Sequence, residues 1–177
     1  MTLPKLTTTS MTIQIPTLET SRLALIPVEN SHLDVYLSLY GNSKVMEHIG
    51  EPLDQVAAWK LMATHAGYWV LLGYGGWSVQ QTNSGEIIGL TGLNRSQGSL
   101  DLEVGWIFKP KTWGRGYATE AGAVALSYAF DTVGAKRVFA RMASANYRSI
   151  SVARKLGMHL DTDLSDSSIS VYVAVGN

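Results

Sequence analysis

The stretch Trp113-Gly114-Arg115-Gly116-Tyr117-Ala118-Thr119 carries the clearest chemistry in this sequence. Two glycines one residue apart, leading into a helical pattern, present successive backbone N–H groups at the positive end of a helix dipole, which suits a phosphate. Lacking Cβ atoms, Gly114 and Gly116 let the backbone approach an anion closely and adopt positive φ. A tight connection with no ligand is the competing reading of two glycines alone. The spacing completes neither the Walker pattern nor GxGxxG, so nucleotide hydrolysis and hydride transfer both lose ground.

Two elements must position that turn. Before it, Leu102, Val104, Trp106 and Phe108 alternate with Glu103, Gly105 and Ile107, a period of two that predicts a strand. After it, Ala121, Val124, Ala125, Tyr128 and Ala129 fall at helical spacing, and Gly134 stands where a C-terminal cap belongs. From Lys109 to Lys155 nine Lys/Arg accompany only Glu120 and Asp131. Such a basic segment centred on the turn suits a polyanionic small ligand, although solvated helix faces give the same excess.

Composition narrows the function. A chain of 177 residues with 46% hydrophobic content predicts a single domain over 1–177 with a substantial core, residues 1–11 forming a loose, Thr-rich tail. There is no apolar run long enough to span a membrane and no basic-then-apolar leader, so a cytoplasmic location is expected. The absence of cysteine excludes disulfides, thiolate metal sites and a cysteine nucleophile, and four histidines without HxxxH or HxH spacing argue against a metal. Fourteen basic and fourteen acidic residues cancel, which argues against nucleic acid as a partner.

Along the chain, 18–27 reads as a first strand closed by Pro27. Leu33, Tyr36 and Tyr40 share a helical face that stops at Gly41-Asn42, and 45–52 is a connector. A second helix is expected at 53–66, with Ala57, Leu61 and Thr64 on one side. Thr82-Asn83-Ser84-Gly85 marks a hairpin, Ser96-Gln97-Gly98-Ser99 another turn, and Arg137 to Met142 a strand parallel to the one bearing Glu103. Asn146 is placed to cap a helix whose buried stripe is Ile150, Ala153 and Leu156, ended by Gly157. A closing hairpin of 158–164 and 168–175 follows.

On these residues the chain resembles the GNAT superfamily of acetyl-CoA-dependent N-acyltransferases. Trp113-Gly114-Arg115-Gly116-Tyr117-Ala118 is similar to their pyrophosphate signature, with Trp113 where the general pattern has Gln or Arg. That departure, and Thr20-x-Arg22-Leu23, resemble the RimJ/RimL-like ribosomal-protein acetyltransferases. The resemblance implies an α/β (α+β) GNAT fold: a mixed, mostly antiparallel sheet whose central parallel strand pair splays apart, flanked by helices. It implies acetyl transfer to a primary amine, a protein N-terminus or a small molecule, by direct attack, with acetyl-CoA as co-substrate and no metal. A homodimer is a further expectation of the likeness.

Residue by residue, the resemblance places the pyrophosphate on Gly114, Arg115, Gly116, Tyr117, Ala118 and Thr119 beside Trp113. It places pantetheine along Trp106, Ile107 and Phe108, a backbone N–H near Ile107 polarising the thioester carbonyl. Asn146 is expected to hold the pantetheine arm, or only to cap its helix. Glu103 is the candidate base for the ammonium proton, or a plain strand glutamate. The family tyrosine that protonates the leaving thiolate is replaced by Ala153, so Ser149, with Tyr147 as fallback, is the candidate acid, departure of the thiolate without any acid being the third alternative; a first-turn serine is also commonly structural. That substitution keeps open a second reading, a non-catalytic acyl-CoA-binding module. Arg115, Lys111 and Arg148 are candidates for the 3′-phosphate, and Met46, Glu47, His48, Tyr68, Trp69 and Tyr74 for the acceptor cleft.

Overall fold

The computed structural model describes residues 13–95 and 101–176, so the expected tail at 1–11 and turn at 96–99 lie outside the described residues. Eight strands form one open sheet: β1 (Leu18–Glu19), β2 (Leu23–Pro27), β3 (Gly76–Gln81), β4 (Ile87–Asn94), β5 (Leu102–Phe108), β6 (Arg137–Ala143), β7 (His159–Leu160) and β8 (Ile169–Val175), in spatial order β1-β2-β3-β4-β5-β6-β8-β7. Every neighbouring pair is antiparallel except β5 and β6. Those two run parallel and pair only through Leu102↔Val138 and Glu103↔Phe139. The rest of each strand is unpaired toward the other, and a gap opens in the middle of the sheet.

Helices cover both faces. α1 (Leu33–Tyr40), α2 (Ser43–Met46) and α3 (Gln55–Leu72) bury Tyr36, Leu39, Val45, Ala58 and Met62 against Leu90 and Ile107. On the other face α4 (Tyr117–Ser127) and α5 (Tyr147–Lys155) bury Ala121, Ala125, Ile150 and Ala153 against Leu102, Val104 and Phe108. The alternation read along β5 thus separates two helical layers, and burying each large apolar side chain contributes about 2 kcal/mol.

Three aromatic rings, Trp69, Trp77 and Tyr128, meet edge-on at centroid separations of 4.8, 5.2 and 6.0 Å. The Trp69 indole donates to Gly76 O at 3.0 Å and that of Trp77 to Pro16 O at 2.8 Å. Two histidines sit inside the structure. His65 on α3 shares a 2.9 Å hydrogen bond with the Tyr36 hydroxyl, and His32 does so with Ser78, its Nδ1 also accepting from Glu29 N–H. Burial lowers both, His65 to about 4, so each is neutral near pH 7.

Several boundaries differ from the expectation. The first strand is split in two around Thr20 to Arg22, whose polar groups turn toward α4. α3 runs six residues past the expected stop, to Gly73 at φ 77°, because Trp69 anchors its last turns. Its buried positions are Ala58, Met62 and Trp69, a different side from the one expected. The first arm of the closing hairpin shrinks to His159–Leu160, since Asp161 turns to pair with Arg137 at 2.7 Å. Among the described residues no helix is long and apolar enough to cross a membrane.

Candidate active site

β5 ends in a short 3-10 turn, Pro110–Thr112, after which Trp113 is extended and Gly114 and Gly116 take φ of 75° and 82°. A Cβ at either position would strain a left-handed backbone, which is the local reason for glycine. Gly116 is the N-cap of α4 and has no side chain to accept from the first-turn N–H groups. Those of Tyr117, Ala118 and Thr119 are therefore left for an anion.

The turn is held from the side by residues the sequence reading passed over. Arg22 donates through Nη1 to Arg115 O at 3.0 Å and through Nε to Glu120 Oε2 at 2.7 Å, and its guanidinium lies 4.6 Å from the Tyr117 ring centre. The Thr20 hydroxyl and the Arg22 N–H also donate to Glu120. Partial burial alone would raise the Glu120 pKa, but these hydrogen bonds and the Arg22 charge outweigh it and hold the group below the usual range. Gln81 donates to the Tyr117 hydroxyl at 2.8 Å. The signal was available: Thr20-x-Arg22 stood out as a phrase, and Glu120 is one of two acids in a basic segment.

The turn opens into a cavity of about 630 Å³ at the β5–β6 gap, a volume suited to a ligand. Trp106, Ile107, Phe108, Trp113, Gly114, Gly116, Tyr117, Ala118, Thr119, Asn146 and Ser149 all line it, so the structure brings together eleven of the expected site residues. Arg115 and Glu103 are not in its wall. The cations in the wall are Lys44, Arg148 and Lys155. Trp113 anchors its indole N–H on Phe108 O at 2.8 Å, while the Arg148 guanidinium lies 4.5 Å and the Lys44 ammonium 5.9 Å from its ring centre. Lys111 is drawn instead to Glu86 at 2.8 Å. A larger hollow of about 790 Å³ between α4, β7 and β8 shares Thr119 and Lys155 but none of the glycines of the turn.

The β4–β5 register decides which backbone groups reach the gap. Lys109 N donates to Ile88 O, which fixes Ile107↔Leu90, Gly105↔Gly92 and Glu103↔Asn94 as the pairs whose N–H and C=O groups face each other. The N–H of Ile107 is therefore spent on β4, which leaves the N–H groups on either side of it as the candidates near Ile107. Trp106 and Phe108 point their backbone N–H groups into the gap, and Ile107 contributes only its side chain.

Glu103 sits where the parallel pairing ends, on the face shared with Gly105 and Ile107. Burial raises its pKa above the ordinary carboxylate range, and the Arg141 charge and backbone N–H oppose but do not cancel that rise. Asn146 caps α5 by accepting from Ser149 N–H at 3.1 Å, while the Ser149 hydroxyl makes no hydrogen bond among the described residues. Of the expected acceptor residues, Glu47 and His48 line the cavity; Trp69 and Tyr74 are instead packed into the main core, and Met46 is buried on α2. Among the described residues no three acidic or His side chains are grouped to hold a metal.

Comparison with known proteins agrees with this geometry. The model of the acetyltransferase (GNAT) domain matches residues 22–159. FsC-acetyl coenzyme A-N(2)-transacetylase of Aspergillus fumigatus is 30% identical over 168 residues, 86% of this chain and 69% of that protein. Protein YkkB of Bacillus subtilis is 34% identical over 114 residues, 60% of this chain, and the chain spans 62% of YkkB. The crystal structure of an acetyltransferase from Agrobacterium tumefaciens superposes with a TM-score of 0.83 at 27% identity, covering 95% of this chain and 99% of that one. The chain belongs to the GNAT family of acetyltransferases.

Proposed function

We infer that this GNAT-family acetyltransferase moves the acetyl group of acetyl-CoA to a primary amine by direct attack, without a covalent acyl-enzyme. The observation that carries the reading is the uncapped, glycine-initiated start of α4 opening into a basic cavity at the gap between β5 and β6. The N–H groups of Tyr117 to Thr119 hold the pyrophosphate, with Gly114 and Gly116 giving it access and Arg115 contributing backbone. Arg148 and Lys44, which reach the cavity wall, are better placed for a further phosphate than Lys111.

Acetyl transfer makes a C–N bond and breaks a C–S bond. Glu103 accepts the ammonium proton, which its raised pKa favours at neutral pH. The N–H groups of Trp106 or Phe108 stabilise the oxyanion. Ser149, whose hydroxyl is unengaged at the wall, donates toward the departing thiolate. Trp113-Gly114-x-Gly116-Tyr117-Ala118 and Thr20-x-Arg22 support the RimJ/RimL-like branch and, with it, a protein N-terminus or a small amine as acceptor.

The test pairs binding with turnover. Acetyl-CoA in excess should raise the unfolding midpoint of the wild type, because it binds only the folded state. Glu103→Gln should keep that shift, lower kcat/KM about 100-fold, and erase the fall in wild-type activity as pH drops through the raised Glu103 pKa. Its own midpoint should be equal or higher, since a group whose pKa is raised on folding costs stability above that pKa. Ala153, buried where relatives carry an acid, favours one alternative, a module that binds acyl-CoA without turnover. That alternative gains if acetyl-CoA shifts the midpoint and no amine releases thiol.

A further inference from the structure

Past the Glu103↔Phe139 pair, the same sheet face continues with Gly105 on β5 and Arg141 on β6, each two residues on. Pairing has stopped there, so the two positions stand on opposite banks of the gap. Gly105 is exposed, and a Cβ built on it would meet no atom within 4 Å. The ground beside Glu103 and Arg141 is thus open.

Arg141 has a fixed seat. Its guanidinium lies 5.6 Å from the ring centre of buried Phe139, at cation–π range, while the residue as a whole is exposed. Among the described residues no ion pair engages Arg141 or Glu103, although each lies in the field of the other. Nearby Arg137 is already neutralised by Asp101 and Asp161. The Glu103 carboxylate takes the Arg141 backbone N–H but not its guanidinium, and a carboxylate and a guanidinium that stand beside open space without pairing are complementary to a ligand that carries both charges itself.

We propose that Glu103 and Arg141 form a receptor for a zwitterion: the acceptor is a free amino acid, its amine at Glu103 and its carboxylate on Arg141. A guanidinium recognises a carboxylate through two parallel N–H donors, which gives orientation as well as attraction. A polyamine would bring a second cation toward Arg141, and a long peptide N-terminus offers no carboxylate next to its amine. This rests on the acetyltransferase reading with Glu103 as base.

The experiment is thiol release from acetyl-CoA by the full chain with each proteinogenic amino acid, its amide, spermidine, and a short peptide blocked at its C-terminus. The best amino acid should exceed its own amide at least tenfold in kcat/KM, chiefly through KM. Arg141→Gln should collapse that ratio toward one, Arg141→Lys should restore part of it, and both variants should keep the acetyl-CoA shift in unfolding midpoint. Amide, spermidine or peptide matching the best amino acid, or a ratio unmoved in Arg141→Gln, overturns the zwitterion receptor and leaves the acetyltransferase standing. Release with none of these amines overturns both.

Discussion

Two helices begin at the wall of one cavity, and they begin differently. α5 starts at Asn146, whose side chain satisfies the Ser149 N–H in the ordinary way. α4 starts at Gly116, which has no side chain to satisfy any first-turn N–H. A glycine in place of a capping side chain costs a helix only a few tenths of a kcal/mol, and the loss at α4 is offset outside the helix by Arg22 and Thr20 gripping Glu120 and the Arg115 carbonyl. One helix spends its dipole on its own stability, whereas the other keeps it available for a ligand.

The contrast breaks most completely at Gly116. Gly116→Val forces a β-branched residue to φ near 82° with Arg22 Nη2 at 3.4 Å from the new Cβ, and acetyl-CoA affinity should fall more than about 100-fold. Calorimetric titration checks this, and retained affinity would mean that the turn is not the phosphate cradle. Arg22→Ala comes next: it leaves Glu120 as an unopposed anion in the first turn, so affinity should drop about tenfold and stability by about 1 kcal/mol, the pair being partly exposed. Adding Glu120→Gln to it should recover much of the affinity, which a double-mutant cycle would read. Asn146→Ala should be the mildest, losing about 1 kcal/mol in denaturant unfolding with acetyl-CoA affinity nearly kept. An affinity loss as large as that of Arg22→Ala would show that Asn146 holds the ligand as well as the helix.

The parts of this design that were legible in the sequence are local. The alternation of Leu102 to Phe108 and the glycines at 114 and 116 report their own backbone, so the strand, the turn and the helix after it were readable without tertiary information. Arg22 and Glu120 are 98 residues apart, and no period links them; only the fold does. Which N–H near Ile107 faces the gap was hidden for the same reason, because the strand edge an N–H faces depends on register with β4. α3 escaped its boundaries because it is apolar nearly all round, which leaves no stripe to show the buried side.

His32 and His65, neutral beneath the α1–α3 layer, make the fold a proton-linked machine of a simple kind. On unfolding each ring regains an affinity for protons that the folded interior denies it. Below pH 6.5 the unfolded chain therefore takes up protons first, and stability falls as pH drops toward about 4, where His65 titrates in place. For His65 alone the loss across that window is roughly 3 kcal/mol. The α1–α3 layer is consequently dependable at neutral pH and compromised in acid. Unfolding free energy measured against pH should show this slope in the wild type and a shallower one in His65→Gln.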